Sequence, residues 1–145
     1  MQVVIREAEA KLDGRPMRTV IAAPRAAPKG RYPGILIYSE IFQLTGPIRR
    51  SMERLAGYGF VVAAPEIYHR IEPPGLVIPY DDAGRMRGQD DAARTSVAQF
   101  DASRKAALDL LQPWHERQAL PPRGLRLRGA ALLASGRAAE ALPLL

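Results

Sequence analysis

Cysteine is absent from this 145-residue sequence, which excludes a disulfide framework, a thiolate metal site and a cysteine nucleophile within it. Long apolar runs are absent too, since no stretch approaches the roughly 18 uncharged apolar residues of a membrane-spanning helix. Residues 1–7 mix charged and apolar side chains and do not resemble a secretory signal. We therefore expect a cytoplasmic protein with no membrane contact.

Histidine is scarce as well. His69 and His115 are the two histidines of the sequence, and neither belongs to a His-Glu-x-x-His motif. We interpret both as ordinary loop or helix-end residues rather than as a catalytic base or as metal ligands. We expect neither a metal nor a cofactor.

Acidic residues are few only near the end of the chain. Residues 1–116 hold 16 basic and 14 acidic side chains, whereas residues 117–145 hold five arginines and one glutamate. The formal net charge of +6 therefore arises mostly from the last residues. Because no aromatic side chains lie between those arginines to stack on bases, we expect no nucleic acid partner.

The first apolar segments predict a β-hairpin. Residues 3–5 and 17–23 are short β-type runs, and Asp13-Gly14 between them is a strong signal for a reverse turn. The two strands should be antiparallel.

A strand–helix–strand unit follows. Residues 34–38 are apolar without alternation, which predicts a central strand covered on both faces. Pro47 suits the first turn of a helix that Gly57 and Gly59 end, and residues 60–65 form a second apolar run. These strands should be parallel with a right-handed crossover, so the predicted class is α/β.

The remaining residues divide into a loop, a helix and a tail. Residues 66–88 are rich in proline and glycine and predict a long loop, whereas an apolar stripe over residues 90–111 predicts one amphipathic helix. We assign residues 1–115 to the α/β domain. Residues 116–145 change abruptly to mainly Ala, Leu, Arg, Pro and Gly, and do not continue its pattern.

Two segments carry a family resemblance. Residues 35–42 read ILIYSEIF and residues 55–70 read LAGYGFVVAAPEIYHR, and together with the helix between them they resemble dienelactone hydrolases. That family's first strand ends in Glu-Ile-Phe-Gly and its second continues into Pro-Asp-Leu-Tyr-x-Arg; here Gln43 replaces the glycine and Glu66 the aspartate. The resemblance covers residues 1–115.

The resemblance implies an α/β-hydrolase, a three-layer sandwich with a mostly parallel sheet, that opens a small ester or lactone through a covalent acyl-enzyme. It implies that Glu40 tunes a Cys or Ser nucleophile and that the Ile41 N–H belongs to the oxyanion hole. It also places Tyr80, Arg85 and Arg87 where the family often binds a substrate carboxylate. From the residues alone, Glu40 could equally pair with an arginine such as Arg49, and the loop residues could form a solvated charged surface.

The nucleophile elbow of this fold, Gly-x-(Ser or Cys)-x-Gly, does not occur in the sequence. Ser135 precedes Gly136, but Leu133 stands where the first glycine is needed. We therefore interpret the chain as truncated before the nucleophile strand and expect little or no turnover from it alone. Whether it acts as an enzyme stays open, and the alternative is a non-catalytic binding or partner-dependent protein.

Two explanations of residues 116–145 remain open. The first is a frameshifted or truncated reading frame, because misread GC-rich DNA yields mainly Ala, Arg, Gly, Pro and Leu. The second is a helical hairpin that mediates an interaction, since residues 128–142 resemble part of a tetratricopeptide repeat. In either case the sheet would end in an unpaired apolar edge, and we expect self-association through it.

Overall fold

The protein is described by a computed structural model that covers residues 1–25 and 32–115, with side chains as far as Gln112. Within these residues the fold consists of a four-stranded sheet and three helices. In chain order the elements are β1 (Val3–Leu12), β2 (Arg15–Pro24), β3 (Gly34–Leu36), α1 (Gly46–Gly57), β4 (Val61–Pro65), α2 (Asp82–Arg94) and α3 (Val97–His115). The predicted interpretations of residues 116–145 lie outside the described residues.

The hairpin at the start of the chain is confirmed and is longer than the sequence indicated. β1 and β2 pair antiparallel over ten residues each. Asp13 and Gly14 both have positive φ, at 53° and 74°, as the tight turn that matches the twist of two antiparallel strands requires.

The strand–helix–strand unit is also confirmed. β3 and β4 are parallel, and the sheet order is β1-β2-β4-β3 with β2 antiparallel to β4. Pro47 lies in the first turn of α1. The predicted α/β class is therefore confirmed, with a mixed sheet over the described strands.

The sheet has a core on each face, because successive β4 side chains point to opposite sides. Val62 and Ala64 pack with Met52 and Ala56 of α1 on the first face. Val61 and Ala63 pack with Leu111 of α3 on the second. All five residues of β4 are buried, so β4 is the central strand that we expected β3 to be.

β3 differs from that expectation. Its faces are covered, but its residues are only half-buried, because among the described strands it pairs with β4 alone and forms the edge of the sheet. The hydrogen bond from Ile37 N to Ala63 O, at 2.9 Å, extends the pairing by one residue.

The expected long loop and single helix were wrong in their boundaries. Asp81 caps α2 by accepting a hydrogen bond from Gly84 N at 2.6 Å, so a helix begins inside the segment that we predicted as loop. The chain breaks again before α3, where Ser96 and Gln99 form a reciprocal capping box, with Gln99 N donating to Ser96 Oγ and Ser96 N to Gln99 Oε1. This Ser-x-x-Gln signal was readable in the sequence, but the apolar stripe across it hid the break.

Among the described residues, no helix is long and apolar enough to cross a membrane.

Candidate active site

The carboxyl end of β3 lies between helices on the two faces of the sheet. α1 covers the first face and carries the chain from β3 to β4, whereas α3 covers the second face. Ligands of open α/β sheets bind outside the carboxyl ends of the strands. The loop that follows β3 is therefore the candidate site.

The site loop, which we define as residues 39–45, leaves β3 at this point. It begins with a tight turn in which Gln43 N donates to Glu40 O at 3.0 Å, and Thr45 N then donates to Gln43 O at 2.9 Å. Gln43 has φ 67° and is only 1% exposed. A left-handed backbone explains why a glycine suits this position, and Gln43 occupies it with its side-chain Oε1 buried and without a hydrogen-bond partner among the described residues.

Glu40 is held by Tyr80. The Tyr80 hydroxyl donates to Glu40 Oε2 at 2.8 Å and lies 3.2 Å from Thr45 Oγ1. The Tyr80 ring also packs on Phe42, with the ring centroids 4.4 Å apart. Two of the residues named from the sequence, Glu40 and Tyr80, are therefore brought together, and the expected pairing of Glu40 with Arg49 does not form in the described structure.

The backbone of the site loop is held by two further contacts. Ile78 N donates to Phe42 O at 3.1 Å. Gly88 of α2 lies so close to Ile41 that a Cβ built on it would be 2.4 Å from Ile41 O. The Ile41 N–H itself forms no hydrogen bond within the described part of the chain, so the residue after Glu40 has a backbone donor without a described partner. Such a donor can stabilise negative charge that develops on a carbonyl oxygen.

Arg85 and Arg87 differ in what they contact. Arg87 donates to both carboxylate oxygens of Glu72 at 2.5 Å, so its fork is already occupied. Arg85 is about half exposed and lies 3.6 Å from Asp82. Of the two arginines, Arg85 is the less engaged.

A buried carboxyl pair lies beneath Arg87. Glu72 and Asp91 are 6% and 2% exposed. The hydrogen bonds from Arg87 lower the pKa of Glu72, whereas burial, followed by the neighbouring Glu72, raises the pKa of Asp91 to about 6. One proton is thus retained by the pair over part of the physiological pH range.

His69 is buried at the carboxyl end of β4, and neither ring nitrogen has a hydrogen-bond partner among the described residues. Burial and then the positive charge of Arg70 lower its pKa. No described contact joins His69 to the site loop, and the side chain of His115 lies outside the described set. Over the described residues, no group of three or more His, Asp or Glu side chains could hold a metal ion.

Thr45 and Gly88 are the site residues that the sequence analysis missed. A signal for Gly88 existed, because Gly84 and Gly88 are four residues apart and therefore lie on one face of a helix, but it is visible only once the helix is known to begin at Asp82. Thr45 had no distinguishing signal, since a threonine at the N-cap of a helix with a proline in its first turn is ordinary.

Comparison with known proteins gives consistent results. The profile of the Dienelactone hydrolase family matches residues 17–119. A candidate carboxymethylenebutenolidase of Saccharomyces cerevisiae is 38% identical over 100 residues, which cover 68% of this chain and 36% of that protein. A candidate carboxymethylenebutenolidase of Synechocystis is 34% identical over 83 residues, covering 57% of this chain and 33% of that protein.

A solved structure gives the same result. The crystal structure of a candidate dienelactone hydrolase from Klebsiella pneumoniae matches with a TM-score of 0.60 and 26% identity, covering 79% of this chain and 44% of that one. The predicted α/β-hydrolase fold is thereby confirmed. The chain spans about a third of the length of the curated relatives and less than half of this solved one.

Proposed function

We propose, because this chain belongs to the dienelactone hydrolase family, that it contributes the oxyanion donor and the nucleophile-tuning carboxylate of a hydrolase that acts on a small ester or lactone. The single observation that carries the proposal is the Ile41 N–H, which has no partner among the described residues and follows Glu40 in the loop at the carboxyl end of β3. Candidate carboxymethylenebutenolidases among the relatives support a lactone as substrate.

The proposed reaction passes through a covalent acyl-enzyme. A Ser or Cys nucleophile attacks the ester carbonyl and its proton passes to a base, while the carbonyl oxygen becomes negatively charged and accepts a hydrogen bond from Ile41 N–H. The C–O bond to the alcohol then breaks, the alcohol leaves with the proton from the base, and water hydrolyses the acyl-enzyme. Glu40 acts on the protonation of the nucleophile. We propose that the nucleophile and its base come from outside residues 1–115, so that residues 1–145 alone hydrolyse little or no substrate.

Substrate recognition forms a separate part of the proposal. Tyr80 and Arg85 are the proposed contacts for a substrate carboxylate, since Arg85 is exposed and Tyr80 already lies at the site loop. Arg87 could join them only after releasing Glu72. Arginine suits this role because its planar fork matches a carboxylate.

The experiment joins residues 1–115 to the part of the Klebsiella enzyme that follows its matched region and measures hydrolysis of an activated ester and of a small lactone. Replacing Ile41 by Pro removes the N–H, and loss of one oxyanion donor lowers kcat by roughly 10²–10³-fold. Ile41→Ala keeps the N–H and is the matched control. The proposal would be contradicted if neither Ile41→Pro nor Glu40→Gln changed the rate of hydrolysis by the fusion.

We also propose self-association through the open edge of β3. Ile35 and Ile37 are half-buried there, and Tyr38 is 38% exposed. The edge therefore presents apolar side chains next to backbone groups that no second strand among the described residues pairs. Sedimentation velocity over a range of concentrations measures this. Tyr38→Lys should shift the population toward monomer and Tyr58→Lys, which adds the same charge elsewhere, should not; equal behaviour of both variants argues against the edge as the contact.

A further inference from the structure

α2 is held in an unusual way for a helix of 13 residues. Its buried residues are Gly84, Gly88 and Asp91, so it has no apolar stripe to pack against a core. It makes no extensive contact with any other described helix or strand and lies against the loops at the carboxyl end of the sheet instead. Its position is therefore set by direct contact between backbones and by polar pairs.

The two glycines make that contact possible. A Cβ on Gly84 would lie 1.9 Å from Pro79 O, and a Cβ on Gly88 would lie 2.4 Å from Ile41 O and 3.0 Å from Ile41 Cβ. A glycine inside a helix costs about 1 kcal/mol relative to alanine. α2 buries little apolar surface and yet contains two such glycines. At Gly88, the close contact that requires a glycine is the one with Ile41.

Ile41 depends on this contact more than its neighbours do. Glu40 is held by the Tyr80 hydroxyl and Phe42 by Ile78 N. For Ile41 the described residues provide no hydrogen bond, and its carbonyl lies against the bare backbone of Gly88. The orientation of its peptide groups is therefore limited sterically, from the side of α2.

We infer that Gly88 is a positioning residue, which lets α2 approach the site loop and fix the Ile41 backbone while leaving the Ile41 N–H unpaired. The inference rests on the proposed function, in which that N–H stabilises the oxyanion. Gly88 does not touch substrate in this scheme. It acts through Ile41, because an oxyanion donor is effective only when it is oriented before the charge appears.

The test uses the whole chain and compares three single substitutions by ¹H–¹⁵N correlation spectra and amide hydrogen exchange. Gly88→Ala is expected to produce its largest shift changes at Ile41 and Phe42 and to accelerate exchange there, while the amides of β1 and β2 stay unchanged. Gly84→Ala is more crowded, but against Pro79, so its largest changes should fall near Tyr80. Gly57→Ala, where a Cβ meets nothing within 4 Å, should affect its own surroundings only.

The outcome separates positioning from general stability. If Ile41 moves no more in Gly88→Ala than in Gly84→Ala, the inference is wrong. If Gly88→Ala does not fold, the double variant with Ile41→Gly, which frees the backbone to move away, should fold, and its failure to do so also overturns the inference. None of these measurements involves hydrolysis, so they stand apart from the outcome of the fusion experiment.

Discussion

The Tyr80 hydroxyl donates a 2.8 Å hydrogen bond to Glu40 Oε2, which joins the site loop to a segment 40 residues later in the chain. The same hydroxyl is 3.2 Å from Thr45 Oγ1. Tyr80 is itself 59% exposed, so this small network lies at the protein surface and is open to a ligand. The Glu40 carboxylate is therefore hydrogen-bonded and still accessible to solvent.

Tyr80→Phe tests that network. The substitution keeps the ring on Phe42 and removes the hydroxyl, and we expect it to lower the free energy of unfolding by about 1 kcal/mol, as for one partly exposed hydrogen bond. In a double-mutant cycle with Glu40→Ala, which removes the acceptor, measured by urea unfolding, the two changes should not add. Additive effects would show that the hydrogen bond contributes nothing to stability.

Gln43→Gly tests the strain at the left-handed position of the site loop. Relief of the positive φ is worth roughly 1–2 kcal/mol for one residue, partly offset by the loss of a buried side chain, so we expect a net gain of about 1 kcal/mol in the free energy of unfolding. Gln43→Ala is the control, because it loses the packing and keeps the strain. It should be less stable than the parent chain, and the prediction fails if the two variants melt alike.

The carboxyl pair of Glu72 and Asp91 predicts a stability that falls as pH rises from about 4 to 6. The pKa of Asp91 is raised to about 6 in the folded chain, so its stabilising contribution is complete below the unfolded value and is lost as pH rises through the folded one. Glu72 has the opposite sign, since its pKa is lowered, and its contribution is lost only at lower pH.

Asp91→Asn is therefore expected to remove the loss of stability between about pH 4 and 6, because an amide can donate to Glu72 at every pH. Thermal melts across this range provide the measurement. Asp109→Asn is the matched control at an exposed position of α3 and should leave the profile of the parent chain unchanged. An identical profile for Asp91→Asn would mean that the pair does not share a proton.

His69 predicts a loss of stability in acid. Burial and Arg70 lower its pKa in the folded chain, so its contribution is complete above the unfolded value of about 6.5 and is lost as pH falls through the folded one. His69→Leu should flatten the melting temperature over that acid range relative to the parent chain. The comparison is made in the Asp91→Asn background, so that the two titrations do not overlap. Parallel curves with and without His69 would contradict the prediction.

The sequence was most informative where one residue determines a local conformation. Asp13-Gly14 fixed the hairpin turn, and Pro47 with Gly57 bounded α1, because each acts through the backbone of its own segment. The parallel pair of strands followed from the apolar run of residues 60–65 and the chirality of the crossover. These are local signals, and the structure confirms them.

The sequence did not predict the contacts between residues that are far apart in the chain. Thr45 meets Tyr80 only because two loops converge, and Gly88 meets Ile41 only because α2 begins at Asp82 rather than eight residues later, where we had placed a helix. The polar composition of α2 made it resemble a loop, since its buried face consists of glycine and aspartate. A helix held by tertiary backbone contact leaves no hydrophobic period to detect.

The lack of apolar burial in α2 also determines which part of the domain unfolds most easily. α2 buries almost no apolar surface and is anchored by its Asp81 cap, by Arg87 on Glu72 and by its glycine contacts, so its local unfolding should require less free energy than that of the sheet. Arg85, Arg87 and Arg94 all lie within it. Brief exposure to trypsin should therefore nick the chain in α2 before it cuts at Arg6 of β1 or Arg18 of β2. Added salt, which weakens the Arg87 pair, should make that cleavage faster.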